Sequence, residues 1–128
     1  MGISNQVIQD PLYDFDSEVE DIEEGDFVYI RSDGLLGKAL ASDQNKMPAI
    51  GYVTGVTNSR ARVERSYIES GLTEIENQKK YFISEAVPGG LQDSSPISPG
   101  YISQPVARGV GTSILSIYVD PNNYLKRS

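Results

Sequence analysis

Residues 24–40 of this 128-residue chain read EGDFVYIRSDGLLGKAL, with apolar runs on either side of a turn signal. From Phe27 to Ile30, aromatic and β-branched residues follow one another, which is typical of a largely buried strand. Ser32-Asp33-Gly34 favours a tight turn, because Asp can bond its own backbone and Gly accepts positive φ without steric cost. The stretch therefore predicts a β-hairpin.

A similar arrangement returns further along the chain. Residues 80–84, KYFIS, predict a strand, and the turn after it ends in Gly90-Leu91 as the first turn ends in Gly34-Leu35. The run SQPVARGVG at 103–111 parallels KMPAIGYVTG at 46–55, because in each a proline precedes a glycine-bearing strand. These parallels predict two approximate repeats of strand, turn, loop and strand.

The remaining segments also read mainly as strands. Residues 60–68 predict one strand, in which Ala61, Val63 and Arg65 share one face. The core face of this strand is weakly specified, which is typical of a strand at an edge or an interface. Residues 112–119 predict a closing β-branched strand, and only residues 73–78 suit a single helical turn. Short strands separated by turn signals predict an all-β fold, a small β-barrel or sandwich with two pseudo-repeated strand-turn-strand halves.

The acidic residues are concentrated near the start of the chain, whose net charge is −7. Half of the 18 acidic residues lie between Asp10 and Asp26, and no Lys or Arg precedes Arg31. From Phe27 onward, 11 basic residues accompany 9 acidic ones. This distribution argues against nucleic acid and anionic membrane as partners, since phosphate binding needs the opposite charge.

We expect residues 1–24 to form an extended acidic N-terminal arm, residues 25–120 the β-domain and residues 121–128 a C-terminal tail. By itself the arm has too little apolar surface to offset the entropy lost on ordering. Scattered apolar side chains would let it order against a neighbouring subunit, namely Val7, Ile8, Leu12, Tyr13 and Phe15.

The composition excludes several kinds of chemistry. The absence of Cys excludes disulfides and thiolate catalysis, and the absence of His excludes Ser-His-Asp triads and histidine zinc sites. An enzyme built from this chain would depend on Asp, Glu, Lys, Tyr or Ser alone, so we expect no catalytic residues. We expect no metal or other cofactor either. The sequence also has no run of eighteen apolar residues and no signal-peptide layout.

Two charged clusters are candidates for partner contacts. The acidic run 14–20 fails as a calcium loop, because Val19 stands where such a loop needs Gly and Gly25 where it needs Glu. The run suits electrostatic docking onto a basic surface of a partner. The basic cluster would either discourage edge pairing as an exposed strand or meet the acidic arm of a neighbour, and it consists of Arg60, Arg62 and Arg65.

Several short motifs together resemble those of small tailed-phage capsid decoration (cement) proteins and of phage head-fibre β-modules. The resemblance covers roughly residues 24–119. Its motifs occur in the order Gly25-Asp26-Phe27-Val28-Tyr29, Ser32-Asp33-Gly34, Ala49-Ile50-Gly51-Tyr52-Val53, Gly71-Leu72-Thr73, Tyr81-Phe82-Ile83-Ser84, Pro88-Gly89-Gly90-Leu91 and Val106-Ala107-Arg108-Gly109-Val110.

The resemblance implies a virion structural protein and no catalysis. It implies a compact β-domain that forms a homotrimer, sits on the outer surface of the capsid at local threefold positions and stabilises the head shell. The implied partner is the major capsid protein, bound through the N-terminal arm. Contacts with the capsid or between subunits are expected from Val7, Ile8, Leu12, Tyr13, Phe15, Asp16, Arg60 and Arg62.

Two alternatives of other classes remain open from the sequence. One is a trimeric head- or tail-fibre module that binds a fibre partner or a host receptor. The other is a glycan-acting enzyme with paired carboxylates, for example Asp26 with Glu64 or Glu85, since glycoside hydrolysis uses two facing acids. A groove with two facing carboxylates would favour the enzyme, and a flat base with a protruding arm would favour the capsid protein.

Overall fold

A computed structural model describes residues 12–128 of the chain. Within this range there are twelve short β-strands, one 3-10 turn and no α-helix. The strands are β1 Leu12–Asp14, β2 Phe27–Ile30, β3 Leu36–Lys38, β4 Gly51–Thr57, β5 Arg60–Glu64, β6 Ser66–Glu69, β7 Lys80–Ile83, β8 Leu91–Gln92, β9 Ile102–Ser103, β10 Pro105–Val110, β11 Ile114–Tyr118 and β12 Leu125–Lys126. The prediction of an all-β fold is confirmed.

Ten of these strands form two five-stranded antiparallel sheets. The first sheet has the order β1-β5-β4-β2-β3 and the second has the order β6-β11-β10-β7-β8. Each sheet contains five strands from one half of the chain. In both sheets the first strand along the chain lies at one edge, followed in space by the fifth, fourth, second and third strands. The remaining strands, β9 and β12, pair with each other. The architecture is consistent with a β-sandwich.

The predicted hairpin of residues 24–40 is present as β2 and β3. Val28 pairs with Lys38 and Ile30 with Leu36, so the two strands are antiparallel neighbours. In the turn, Asp33 Oδ1 accepts a hydrogen bond from the Leu35 amide at 3.1 Å. Gly34 has φ of +88°, in the left-handed region that glycine adopts without strain.

Both faces of the first sheet contribute buried side chains to a core cluster. One face carries Val28, Val53 and Val63, which pack in a cluster with Phe15 and Ile22. The opposite face carries aromatic side chains that join the larger core cluster together with residues of the second sheet. The members of that larger core are Phe27, Ala39, Ala41, Ala49, Tyr52, Tyr81, Ile83, Val106, Ala107, Leu115, Ile117 and Val119.

Residues 12–24 differ from the extended arm that the sequence predicts. Phe15 is 7% exposed and Ile22 is 3% exposed, because both side chains fill the apolar face of the first sheet. The Phe15 amide also donates a hydrogen bond to the Ser59 carbonyl at 3.0 Å. We call residues 15–22 the first covering segment. The described part of the predicted arm thus belongs to the folded body.

The second sheet has a corresponding segment. After β6, the Leu72 amide donates a hydrogen bond to the Ser113 carbonyl at 2.9 Å. Leu72 and Ile75 pack against the larger core. We call residues 70–79 the second covering segment. In both halves, therefore, the first strand is followed by a segment whose backbone is hydrogen-bonded to a turn. That turn connects the last two strands, in chain order, of the same sheet.

Three other segments differ in detail from the sequence-based expectations. Residues 60–68 form two strands, β5 and β6, which belong to different sheets. The helical turn occurs at Gln44–Lys46 and not at 73–78, where positive φ at Glu74 and Gln78 is incompatible with a helix. The C-terminal tail is attached to the body, because β12 pairs with β9 and Arg127 Nε donates to the Pro96 carbonyl at 2.8 Å.

Candidate interaction surfaces

The second sheet has one solvent-facing side, which we call the open face. A row of paired residues crosses four of its strands in the order Lys80, Arg108, Ser116 and Ile68. Because successive side chains on a strand point to opposite faces, Val110 and Tyr118 lie on the same side as this row. The opposite side of the sheet carries core residues such as Ala107 and Ile117.

The open face is rich in exposed apolar surface. Ile68 is 61% exposed, Tyr118 is 59% exposed and Val110 is 44% exposed. Neighbouring apolar side chains on one exposed face mark an interaction surface, whereas isolated ones are ordinary. The open face is therefore the strongest candidate for a contact surface among the described residues.

The two charged residues of this row, Lys80 and Arg108, are both positive. Lys80 and Arg108 are exposed, and neither forms an ion pair with a carboxylate of the described chain. Arg108 Nη1 makes only a long hydrogen bond, 3.5 Å, to Gln78 Oε1. A groove of about 380 Å³ runs along this face, and both cations line it together with Ser116 and Tyr118. The face therefore suits a partner that is apolar and negatively charged.

The exposed side of the first covering segment has the opposite character. Glu18 and Asp21 are exposed, and Val19 between them is 63% exposed. Glu20 is held back toward the sheet, because its Oε1 accepts a hydrogen bond from the Lys38 amide at 3.2 Å. Phe15 and Ile22 anchor the segment from below, so its acidic surface has a fixed position on the domain.

The structure brings together several residues that the sequence singled out. Leu12 pairs with Arg62, and Tyr13 pairs with Ala61, between β1 and β5. Arg60 Nε lies 3.1 Å from Asp14 Oδ1, so the expected contact between this basic cluster and the acidic segment occurs within one chain. Leu12, Arg60 and Arg62 line a groove of about 540 Å³.

The other predicted contact residues have different surroundings. Phe15 lies in the core and offers no surface to a partner. Asp16 Oδ1 accepts a hydrogen bond from the Glu18 amide at 3.0 Å, which is a local turn contact. Val7 and Ile8 lie outside the described residues.

The three carboxylates of the enzyme alternative have local partners. Asp26 Oδ2 accepts from the Glu23 amide at 2.8 Å and lies 3.7 Å from Lys38 Nζ, while burial raises the pKa of this carboxyl above its usual range. Glu64 accepts from Thr54 Oγ1 at 2.7 Å. Glu85 accepts from Gln92 Nε2 at 3.2 Å. These contacts join each acid to a neighbour in its own region of the fold.

A third groove, of about 450 Å³, lies where the two sheets meet. Tyr52 lines it, and its hydroxyl donates to Glu69 Oε1 at 3.0 Å. Burial, followed by this hydrogen bond, raises the pKa of Tyr52. The Tyr52 ring also packs on those of Phe27 and Tyr67, with ring centroids 4.9 and 5.6 Å apart. This arrangement joins the two halves through one aromatic stack.

Neither membrane nor metal features are found in the part of the chain that the structure describes. Residues 12–128 include no helix that is long and apolar enough to cross a bilayer. The same residues contain no group of three or more His, Cys, Asp or Glu side chains placed to hold a metal ion.

No protein-family model, curated protein or solved structure matches this chain. The class of the protein therefore follows from its architecture, which is all-β with two five-stranded antiparallel sheets. Sequence reasoning missed the open face, because it merged β5 with β6 and so did not place Ile68 beside Ser116. In β11, Ile114, Ser116 and Tyr118 occupy every second position and so share one face, and this pattern is the sequence signal for the open face.

Proposed function

We propose that this chain is a virion structural protein that binds the outer surface of a phage capsid as a homotrimeric decoration protein and stabilises the head shell. The major capsid protein is its partner, and it has no catalytic activity. The proposal rests on the motifs that resemble capsid decoration proteins, and those motifs lie in or beside the strands of the two sheets.

The observation that carries the proposal is the open face of the second sheet. Ile68 and Tyr118 are more than half exposed there, next to two cations. Burying this apolar surface against another protein would contribute roughly 25 cal/mol for each Å² removed from water. A small domain with a broad apolar sheet face is suited to adhesion between protein surfaces. A module of a head or tail fibre would use the same face on a fibre partner or host receptor.

We also propose that the fold is a tandem pseudo-repeat, as the hairpin motifs predict. The shared strand order of the two sheets supports it. The strand register supports it too. Val53 pairs with Val63 in the first sheet, and Ala107 pairs with Ile117 in the second. The separation in sequence between Val53 and Ala107 equals that between Val63 and Ile117. In this interpretation β1 and its covering segment belong to the first repeat.

The N-terminal residues supply the capsid contacts in this proposal. Deleting residues 1–23 would test that role poorly, because it removes Phe15 and Ile22 from the core. Deleting residues 2–11 leaves every described residue in place. A segment that binds by many weak contacts adds avidity, so its loss weakens attachment without unfolding the domain.

Co-sedimentation of the purified chain with phage heads that lack it tests the proposal. We expect the full chain to bind saturably and the chain without residues 2–11 to bind at least about tenfold more weakly. The double variant Val7→Ser with Ile8→Ser should weaken binding in the same direction, and Asn5→Ser with Gln6→Ser serves as its matched control. Equal head binding by the full and shortened chains contradicts the role of the arm.

A further inference from the structure

The contact between the two halves of the chain is directional. The first sheet presents Phe27 and Tyr52 toward the second half, where they share a core cluster with Ile117. Leu72 of the second covering segment packs against the same cluster, and Tyr52 binds Glu69 just before that segment. The first sheet therefore packs against the second half on the side where the second covering segment lies.

The same kind of contact is open at both ends of this pair of halves. The face of the second sheet that lies opposite Ala107 and Ile117 is the open face, on which Ile68, Arg108 and Tyr118 are exposed. At the other end, Glu18, Val19 and Asp21 of the first covering segment are exposed to solvent. A head-to-tail contact between two copies would bring these two surfaces together.

Charge and polarity favour that contact. The open face carries Lys80 and Arg108 beside the apolar side chains of Ile68 and Tyr118. The first covering segment carries several acids around the exposed Val19. Opposite charges around apolar centres orient an encounter and exclude wrong partners, while the apolar centres supply affinity.

We propose that the open face of the second sheet binds the first covering segment of a second copy of this chain. The contact is heterologous, so it closes into a ring when the rotation between copies permits. It rests on the self-association in the proposed function, and it is independent of whether the ring sits on a capsid.

The contact is tested by the mass of the purified chain in solution, measured by size-exclusion chromatography with light scattering. The wild type is expected to be a trimer. Arg108→Glu and Glu18→Lys should each weaken the trimer at least about tenfold, since each places like charges in the contact. The double variant with both changes should recover it. Lys126→Glu, a charge reversal on an exposed strand of the small β9–β12 sheet, is the matched control and should leave the trimer intact.

The possible outcomes separate this contact from the proposed function. If the wild type is a trimer and neither Arg108→Glu nor Glu18→Lys weakens it, the proposed contact is wrong, although the chain still forms a trimer. A wild type that is monomeric at all concentrations overturns both the contact and the self-association. Head binding by such a monomer would still support attachment to the capsid. Circular dichroism of each variant verifies that the sheets are intact.

Discussion

At the scale of single residues, Phe15 fixes the position of the acidic N-terminal region on the domain. Its neighbours in sequence are charged, but its side chain and that of Ile22 complete the core of the first sheet. A carboxylate-rich segment is thereby held in a fixed position by two apolar anchors. The sequence made Phe15 visible only as one scattered apolar residue, because its partners come from β2, β4 and β5.

We predict that Phe15→Ala lowers the free energy of unfolding by about 3–5 kcal/mol, the usual cost of deleting a buried phenyl ring. Val19→Ala, in the same segment but 63% exposed, should change it by less than about 0.5 kcal/mol. Urea unfolding followed by circular dichroism measures both. Equal stability of the two variants would mean that the segment does not cover the sheet.

At the scale of elements, two corresponding glycines have different surroundings. A Cβ added to Gly109 in β10 would collide with the carbonyl oxygen of Glu76 in the second covering segment. A Cβ added to Gly55 in β4 would meet only the Arg62 guanidinium, at 3.8 Å. Gly109 is thus required by the close approach of two backbones, whereas Gly55 is not.

This difference predicts that Gly109→Ala destabilises the chain by about 1–3 kcal/mol, because backbone must move to relieve the overlap. Gly55→Ala is the matched control and should be close to neutral. Thermal unfolding of both variants checks the prediction. A Gly109→Ala variant as stable as wild type would contradict the packing of the second covering segment on β10.

The sequence predicted the elements better than their partners. The hairpin of β2 and β3 was predictable because strand and turn residues agree locally around Gly34. The break at Arg65 was not predictable, because no turn signal separates β5 from β6. The two strands are distinct only because they pair with strands of different sheets. The covering segments were missed for the same reason, since their folding depends on distant strands.

At the scale of the whole molecule, the two halves are joined by their cores and differ at their surfaces. The shared strand order makes them comparable, but the first covering segment packs on the outer face of its sheet, whereas the outer side of the second sheet is the open face. Such an unequal pair has two unlike ends, a cationic apolar face and an acidic segment. The sequence of β11 indicates that Ser116 and Tyr118 share a face, but the exposure of that face depends on which segments pack on the sheet, and the sequence does not show this.

We propose that this chain decorates the outside of a phage head. Electron microscopy of the particles that contain it, with gold-labelled antibody against the chain, locates it directly. We predict label on the outer surface of the head, with density for three copies around local threefold positions in the reconstructed shell. Label confined to tail fibres, or particles without label, would contradict this assignment.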